Sequence, residues 1–433
     1  MNLLDQITIN TAPGPHHETD EARPPAPDPA VQLIAFYLPQ FHAIPENDLW
    51  WGKGFTEWTN VSKAVPRFAG HYQPRLPADL GFYDLSRPET LRAQAALARR
   101  YGIAGFCFHH YWFTGRRLLQ RPIDLLLANP DIDLPFCVNW ANEPWSRRWD
   151  GKESAVLMPQ HHSPEDDVAF ARSLEPLMRD PRYIRVNGRP LLLLYRPALL
   201  PDAAATVSRW REHFTAAGLG NPFVLMAQVF GDTEWAKYGM DGAAGFPPFW
   251  APGPKADTLD LLDPRYRGEV ADYDAMTRAT AASWTKTDRV FPGVCPAWDN
   301  EARKPGRGFC FAGSTPAKYG RFLDAACRMA VRTFPPGERL VFVNAWNEWA
   351  EGAYLEPDRH FGHAYLAETA RVLANLSARP GDAPAVDDPL PPVRPPARRT
   401  FKARARRAAR RTLDRVADAA EEFGWRLRNF PSR

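Results

Sequence analysis

Eight apolar runs alternate along the chain with segments whose apolar residues recur at helical spacing. The runs are short and rich in branched or aromatic residues, which is typical of buried strands. They span residues 33–38, 103–109, 134–140, 190–195, 222–228, 242–246, 291–298 and 340–346. The helical segments span residues 89–100, 122–128, 164–179, 202–217, 233–238, 270–283, 316–333 and 363–376. This alternation of strands and helices predicts an α/β fold, a single (β/α)8 barrel of the TIM type.

An open, doubly wound parallel sheet is the alternative architecture. Such a sheet normally has fewer units and a glycine-rich phosphate loop after its first strand. The sequence contains neither GxGxxG nor GxxxxGK[ST]. This argues against the open sheet and against the nucleotide-binding enzymes that carry those loops.

Segments of different composition flank the predicted barrel at residues 31–378. Residues 1–30 form a Pro-rich leader that we expect to be disordered, and residues 379–400 form a Pro-rich linker. Residues 401–430 combine an apolar stripe with many arginines, which predicts a basic amphipathic helix. The chain has a net charge of +4, yet from residue 393 onward 13 Lys and Arg face only 4 Asp and Glu. The barrel is therefore mildly acidic and the tail strongly basic.

The basic tail is the part of the chain that predicts a macromolecular partner. We expect residues 394–428 to lie on an anionic membrane surface. Contact with nucleic acid and a solvated arm without a partner are the alternatives, and we expect no nucleic-acid partner. No run of eighteen apolar residues and no signal peptide is recognisable, and the five cysteines are widely spaced. These features predict a cytoplasmic protein with reduced thiols, peripheral at the inner membrane face.

Aromatic and polar residues concentrate where the predicted strands end. In a (β/α)8 barrel the active site lies at the carboxyl ends of the strands. Twelve of the 15 Trp fall at these ends or in the loops that follow, which predicts an aromatic-walled cleft that binds carbohydrate. The expected substrate-binding residues are Tyr37, Gln40, His42, Trp58, His71, Tyr72, His109, Tyr111, Trp112, Trp140, Asn142, Glu143, Trp145, Arg148, Trp250, Trp298, Asp299, Trp346, Asn347 and Trp349.

Two carboxylates, Glu348 and Glu351, follow the last predicted strand. Three residues apart in a helical turn, they would lie on one side with Cβ atoms about 5–6 Å apart. Two carboxyl groups so close together share a proton, so one can act as general acid and the other as general base. The alternative is a pair of acids that only favour a helix N-terminus.

Adjacent histidines at His109 and His110 raise the question of a metal site. Neighbouring strand residues point to opposite faces, so one ring would face the barrel mouth and the other would pack outward. No HExxH motif and no third ligand at suitable spacing is present. We therefore expect no metal and no cofactor.

Six ordered blocks between residues 33 and 376 carry a family resemblance. They are AFYLPQFHAIPENDLWWGKGFTEWTNV, GHYQPRLPADLGFYDL, GIAGFCFHHYWFTGRRLLQRPID, NWANEPWSRRWDG, PAWDNEARK and NAWNEWAEGAYLEPD. The chain resembles the WbsX-like family, which is related to glycoside hydrolase family 99. That resemblance implies a (β/α)8 barrel and a carbohydrate-active enzyme. Where related sequences often have Asn-Glu-Asn, this chain has Asn142-Glu143-Pro144.

The resemblance also implies an activity and two residue roles. Related hydrolases cleave α-mannosides internally with retention and use a Glu-Trp-x-Glu motif, which falls here on Glu348 and Glu351. Glu351 is then similar to the acid/base on the leaving oxygen. Glu348 is similar to the base that takes the proton of the sugar 2-hydroxyl, whose oxygen attacks C1. The alternatives are a glycosyltransferase of lipopolysaccharide or cell-surface polysaccharide synthesis, and a carbohydrate-binding barrel without turnover.

Overall fold

The computed structural model describes residues 2–20, 30–147, 152–249, 259–284 and 289–378. Several predictions lie outside these ranges: the linker at 379–400, the basic helix at 401–430, residues 21–29 of the leader, Arg148 and Trp250. The described helices include none long and apolar enough to cross a membrane.

Seventeen strands and ten α-helices make up the described ranges. The strands are β1 (Gln32–Tyr37), β2 (Gly105–Phe113), β3 (Arg116–Leu118), β4 (Phe136–Trp140), β5 (Trp145–Arg147), β6 (Lys152–Met158), β7 (Arg185–Val186), β8 (Arg189–Leu194), β9 (Phe223–Gln228), β10 (Gly242–Gly245), β11 (Glu269–Asp272), β12 (Val290–Phe291), β13 (Gly293–Val294), β14 (Phe309–Ala312), β15 (Leu340–Val343), β16 (Asn347–Glu348) and β17 (Ala353–Tyr354). The helices are α1 (Leu3–Thr11), α2 (Pro45–Trp51), α3 (Glu57–Val61), α4 (Pro88–Arg100), α5 (Arg121–Ala128), α6 (Pro164–Arg179), α7 (Ala203–Ala216), α8 (Tyr273–Ser283), α9 (Pro316–Thr333) and α10 (Ala364–Ala378).

The central sheet is a parallel barrel, as predicted. Its hydrogen-bonded order is β12-β10-β9-β8-β4-β2-β1-β15-β13. The two outermost members, β12 and β13, are one strand interrupted at Pro292, so the sheet closes on itself through this strand. Proline lacks the N–H that a continuous ladder needs, which explains the interruption. Gly245 and Gly293 face each other so closely that a Cβ on Gly293 would lie 2.0 Å from the Gly245 oxygen.

Side-chain alternation divides each barrel strand into an inner and an outer set. Phe36 faces the interior and packs against His109, Phe246 and Phe342, while its neighbour Tyr37 faces outward and donates to Gln94 on α4. The outer set meets the apolar faces of the surrounding helices. Each Å² of apolar surface that this packing removes from water stabilises the fold by about 25 cal/mol.

Two of the predicted helices differ from the structure. The segment 233–238 forms only a 3-10 turn over Trp235–Tyr238. Residues 270–272 of the segment 270–283 belong to β11, which pairs with β14 in a small parallel sheet apart from the barrel order, and α8 begins at Tyr273. Asp272 ends β11 and caps α8 by accepting from the Ala275 N–H, so one residue serves both elements.

The expectation of a disordered leader is wrong for residues 2–20. They contain α1, capped by a reciprocal hydrogen-bond pair between Asn2 and Asp5. Asn10 is buried and donates to the backbone carbonyls of His71 and Gln73, both at 2.8 Å. The segment thus attaches to the loop that follows α3. A composition rich in proline does not reveal such side-chain contacts, which is why the sequence missed them.

Replacing Asn10 by Ala should destabilise the barrel. The two buried carbonyls would lose their donor, so we expect the free energy of unfolding in urea to fall by about 1–3 kcal/mol. Thr8→Ala is the matched control, because the Thr8 hydroxyl bonds only within its own exposed helix. Equal stability of the two variants would show that the leader does not brace the barrel.

Residues Pro144–Pro159 belong to a second compact unit of the chain. Its described part is the antiparallel hairpin of β5 and β6, with an irregular register between Trp145 and Arg147. Trp145, expected to bind substrate, belongs to this hairpin.

Candidate functional site

The two glutamates lie in a tight turn after the last barrel strand. Glu348 ends the short strand β16, and Trp349–Glu351 form one turn of 3-10 helix. Gly352 then takes φ 61, a left-handed conformation. A Cβ at Gly352 would lie 2.9 Å from the Arg75 Nε and 3.0 Å from the Asp299 Cβ, so glycine is also needed for space.

Asn347 fixes this turn to the first barrel strand. Its Oδ1 accepts from the Leu38 N–H at 2.8 Å, and its Nδ2 donates to the Leu38 carbonyl at 3.0 Å. The side chain is fully buried. Asn347 therefore acts as a peptide-like bridge between β1 and the glutamates. It was expected to bind substrate, but its polar atoms are used to hold the backbone.

One guanidinium, that of Arg303, contacts three carboxylates. It donates to Glu351 at 2.5 Å, to Glu348 at 3.0 Å and to Glu57 at 3.2 Å. The Arg303 side chain is only 9% exposed, and Glu57 is fully buried. Glu348 and Glu351 therefore converge on one point, with a third carboxylate on the same cation.

Burial dominates the acidity of the pair. Desolvation raises the pKa of Glu348 to about 8, although the attraction of Arg303 opposes the shift and the charges of Glu351 and Glu57 add to it. Desolvation also raises the pKa of Glu351, again against Arg303. Three carboxylates share one cation, so the cluster favours taking up a proton at neutral pH.

Three side chains, two on β2 and one just after β8, lie in the field of this cluster. Burial and the charge of Glu348 raise the pKa of Tyr111. Burial raises that of Tyr195, and the charges of Glu143, Glu351 and Glu348 contribute. Burial, helped by Arg303, lowers the pKa of His109 to about 4, so this ring is neutral at pH 7.

Buried acceptors without a protein donor accompany these groups. Among the described residues no donor reaches Gln40 Oε1, Glu57 Oε1 or Asn139 Oδ1. Gln40 Nε2 donates to the Tyr111 hydroxyl at 3.3 Å, and Asn139 Nδ2 meets His109 Nδ1 at 3.3 Å. An unsatisfied buried acceptor costs about 1–3 kcal/mol, so such atoms favour a ligand rich in hydroxyl donors.

Asn142 and Glu143 both contact Arg196, the residue after Tyr195. Asn142 exchanges two hydrogen bonds of 2.8 Å with the Arg196 backbone, and Glu143 accepts from its guanidinium at 2.5 Å. Asn142 is buried and holds the backbone, whereas Glu143 is partly exposed. Of these two expected binding residues, only Glu143 has a polar group that is partly exposed to solvent.

His71 and Asp299 form a buried pair that supports the turn. His71 Nδ1 accepts from the Arg67 N–H, so Nε2 donates to Asp299 at 2.9 Å. Asp299 also accepts from Gln73 at 2.8 Å, and its N–H bonds the Glu351 carbonyl. Tyr72 donates to Asp358 at 2.7 Å. These three expected binding residues thus connect the loop braced by the leader to the glutamate turn.

Cys310 lies beside this pair, which makes the group a test for a metal centre. Potential ligand atoms of His71, Asp299 and Cys310 all lie within 4.8 Å of one another. Burial raises the pKa of the Cys310 thiol, which disfavours the thiolate that a metal requires. The positive Arg75 lies 4.0 Å from Asp299. A hydrogen bond joins His71 to Asp299, and Cys310 packs beside them in a small cluster with Phe68, Tyr266 and Val270.

The prediction that indoles wall the cleft is wrong for five of the twelve tryptophans. The indoles of Trp58, Trp112, Trp140, Trp346 and Trp349 are all at most 8% exposed. Trp140 stacks on Phe170 of α6, and Trp349 stacks on Tyr354 at 3.8 Å and donates to Glu356. Tyr37 and His42 are likewise buried, and Trp298 packs partly buried against the core. These rings pack against helices and neighbouring side chains outside the barrel interior and offer no exposed stacking face.

His109 and His110 diverge as the alternation of strand residues predicts. His109 faces the interior beside Phe36 and Asn139, and His110 is buried against Phe170 of α6. The His109 ring thus lies on the inner face, which is compatible with the substrate-binding role expected for it.

Sequence reasoning missed Arg303, Glu57 and Tyr195 as members of the cluster. Arg303 and Glu57 stand in two of the blocks that carry the family resemblance, but no spacing rule connects residues 246 positions apart. Tyr195 was recognised as the end of a predicted strand. Leu191 and Leu193 on β8 face inward, and alternation along the strand puts Tyr195 on the same face. This alternation could have indicated that Tyr195 faces the site.

Comparison with known proteins gives matches in both sequence and fold. Residues 33–369 match the family described as "Glycosyltransferase WbsX". The "Uncharacterized protein WxcX" of Xanthomonas campestris pv. campestris is 47% identical over 342 residues, 79% of this chain and 49% of that protein, and the protein of strain B100 matches equally well. The chain thus spans about half the length of these curated relatives.

Solved structures resemble the fold at low sequence identity. A "Glycoside hydrolase-like protein" aligns with a TM-score of 0.53 and 14% identity, covering 86% of this chain and 99% of that one. The GH99 endo-α-mannosidase from Bacteroides thetaiotaomicron aligns with a TM-score of 0.49 and 16% identity, over 81% and 99% of the two chains.

The matched region contains the whole described barrel strand order and the Arg303 cluster. The chain belongs to the WbsX glycosyltransferase family.

Proposed function

We propose that the protein cleaves α-linked, mannose-type glycans through Glu348 and Glu351. The observation that carries the proposal is the convergence of both carboxylates, with Glu57, on the buried Arg303. Both carboxylates form their ion pair with the same cation, and burial raises the pKa of both. A pair that holds one proton is what general acid–base chemistry at a glycosidic bond requires.

A substrate-assisted route suits two carboxylates that reach one guanidinium. An ordinary retaining pair flanks the sugar on opposite faces, with carboxyls about 5–5.5 Å apart. Two glutamates from a single turn can reach that distance, but they hardly reach opposite faces of the sugar. In the proposed step one glutamate takes the 2-hydroxyl proton and that oxygen bonds to C1. The other glutamate gives its proton to the departing oxygen as the C1–O bond breaks. Water then opens the strained ring at C1, with both protons returned and the configuration retained.

The division of roles depends on which carboxylate holds the proton. The family resemblance assigns the acid to Glu351 and the base to Glu348. Burial raises the pKa of both carboxylates, to about 8 for Glu348, so the free pair favours holding a proton near neutral pH. A substrate 2-hydroxyl that donates to Glu348 would stabilise its ionised form and favour the proton on Glu351.

Transfer of a sugar is the second candidate, supported by the family description. The same pair would then act on an activated donor in surface-polysaccharide assembly. A location at the inner face of a membrane, with residues 394–428 on anionic lipid, belongs to this alternative.

One set of incubations separates the candidates. Wild-type protein is given α-mannans, and separately sugar nucleotides with an oligosaccharide acceptor, and the products are followed by mass spectrometry. Shortened mannan with retained anomeric configuration supports hydrolysis, and a lengthened acceptor supports transfer. Glycan binding without either product supports a binding barrel and would contradict the catalytic proposal.

A further inference from the structure

A second cluster with binding character lies at the carboxyl ends of three adjacent barrel strands. In the sheet β4, β8 and β9 are neighbours. Just beyond their ends stand Glu143, Arg196 and Phe230, respectively. Neighbouring parallel strands lie about 4.8 Å apart, so residues that follow their ends share one part of the rim.

Phe230 has two unusual features for an aromatic residue. It is 69% exposed, although burying such a ring would be favourable. Its backbone also takes φ 54, the left-handed region that a bulky side chain rarely adopts. Backbone strain of this kind persists where the surrounding structure holds it, often at ligand sites.

A guanidinium of fixed position accompanies the ring. The Arg196 Cζ lies 4.3 Å from the Phe230 ring centroid. Its position is set twice, by the 2.5 Å ion pair with Glu143 and by the two hydrogen bonds from Asn142 to the Arg196 backbone. Both charged side chains keep about a quarter of their surface exposed, so they can also exchange hydrogen bonds with a ligand.

The cluster also adjoins the glutamate pair. Tyr195 precedes Arg196 in the chain and lies on the inner face of the barrel, with its ring 6.4 Å from that of His109. The charges of Glu143, Arg196, Glu351 and Glu348 all act on its hydroxyl. A ligand that extends from the Arg303 cluster along this face toward the rim would approach Phe230.

We propose that Phe230, Arg196 and Glu143 form a second saccharide subsite, in which a pyranose ring of the same glycan stacks on Phe230 and its hydroxyls bond to Arg196 and Glu143. The flat apolar face of a sugar suits an exposed aromatic ring. The ion pair supplies donors and an acceptor for hydroxyl groups at the ring edge. This subsite rests on the proposed function, because it assumes that the glycan also reaches Glu348 and Glu351. It implies that the preferred substrate has several sugar units.

Substitutions at Phe230 test the subsite. For an α-linked mannotetraose we expect Phe230→Ala to raise KM and the calorimetric Kd about three- to tenfold, the equivalent of one aromatic stacking contact. For an aryl α-mannoside, which has one sugar, we expect kcat/KM to stay unchanged. Phe230→Tyr should keep the tetraose affinity and Phe230→Leu should lose it, since a ring and not apolar bulk is required. Leu4→Ala, at a side chain 74% exposed on α1, is the matched control.

The outcomes separate this subsite from the catalytic proposal. Tetraose binding that weakens in Phe230→Ala without any turnover by the wild type supports the subsite and contradicts the hydrolase. Turnover with the same tetraose KM in wild type and Phe230→Ala overturns the subsite alone. Wild-type protein that binds no tetraose overturns both.

Discussion

Glu351→Gln is expected to lower kcat/KM on an α-mannan by about 10²–10⁴-fold, the usual contribution of a general acid. The loss should be much smaller on an aryl α-mannoside whose phenol is strongly acidic, because that leaving group departs without a proton. Glu348→Gln should lose activity on both substrates, since the 2-hydroxyl must be deprotonated in either case. Initial rates for the two variants on the two substrates measure this contrast.

The same experiment decides the direction of proton transfer. If instead Glu348→Gln keeps activity on the activated aryl mannoside and Glu351→Gln does not, the two roles are reversed. Glu89→Gln is the control, because the Glu89 side chain is 75% exposed on α4. Near-ultraviolet circular dichroism confirms that each variant is folded. Undiminished mannan turnover by both buried-site variants would refute the catalytic assignment.

Arg303→Met is expected to have the largest effect on stability. It leaves Glu57, Glu348 and Glu351 without their shared cation, and breaking a buried ion pair typically costs about 3–5 kcal/mol. The loss should be greatest at pH 8 and above, where Glu348 ionises, and smallest near pH 5, where Glu348 stays protonated. Urea unfolding across this pH range measures the difference from wild type.

The pH dependence of the wild type has the same physical origin. A carboxylate whose pKa is raised in the folded state binds its proton more tightly there than in the unfolded chain. Glu348 should therefore make the free energy of unfolding fall as pH rises from about 4.3, its unfolded pKa, to about 8. Without Arg303 the decline should extend to higher pH.

Arg265→Met provides the matched control for Arg303→Met. Its guanidinium is 89% exposed and pairs with Asp263 at the surface, so removing it should change stability little at any pH. A pH-independent loss of stability in Arg303→Met would mean that packing, and not charge, is what Arg303 provides.

The sequence predicted the barrel because each strand and helix carries its own local pattern. All eight predicted strands correspond to barrel strands, although the seventh is interrupted at Pro292 and the eighth ends at Val343 instead of residue 346. A strand can be recognised from a short run of apolar residues, and such a run is visible in the local sequence alone. Helix 316–333 was likewise predicted to the residue, because Thr315 caps it and Pro316 begins it.

The side-chain environment at the strand ends was harder to predict. Alternation along a strand shows which residues share a face but does not say which face is inside. Trp140 and Tyr37 were therefore assigned to the cleft, whereas both face the helices. The Arg303 cluster depends on contacts between residues far apart in the chain, and these exist only after the barrel has closed.

The interruption at Pro292 affects how the barrel opens locally. The barrel closes where β12 and β13 together contribute only four paired residues, so deuterium should enter the backbone there sooner than at β8 or β9. The loop that follows this strand carries Arg303. The cation that neutralises the glutamates therefore follows the strand where the barrel closes with the fewest paired residues. If β12 and β13 briefly separated from their neighbours, Arg303 would move away, and Glu57, Glu348 and Glu351 would repel one another.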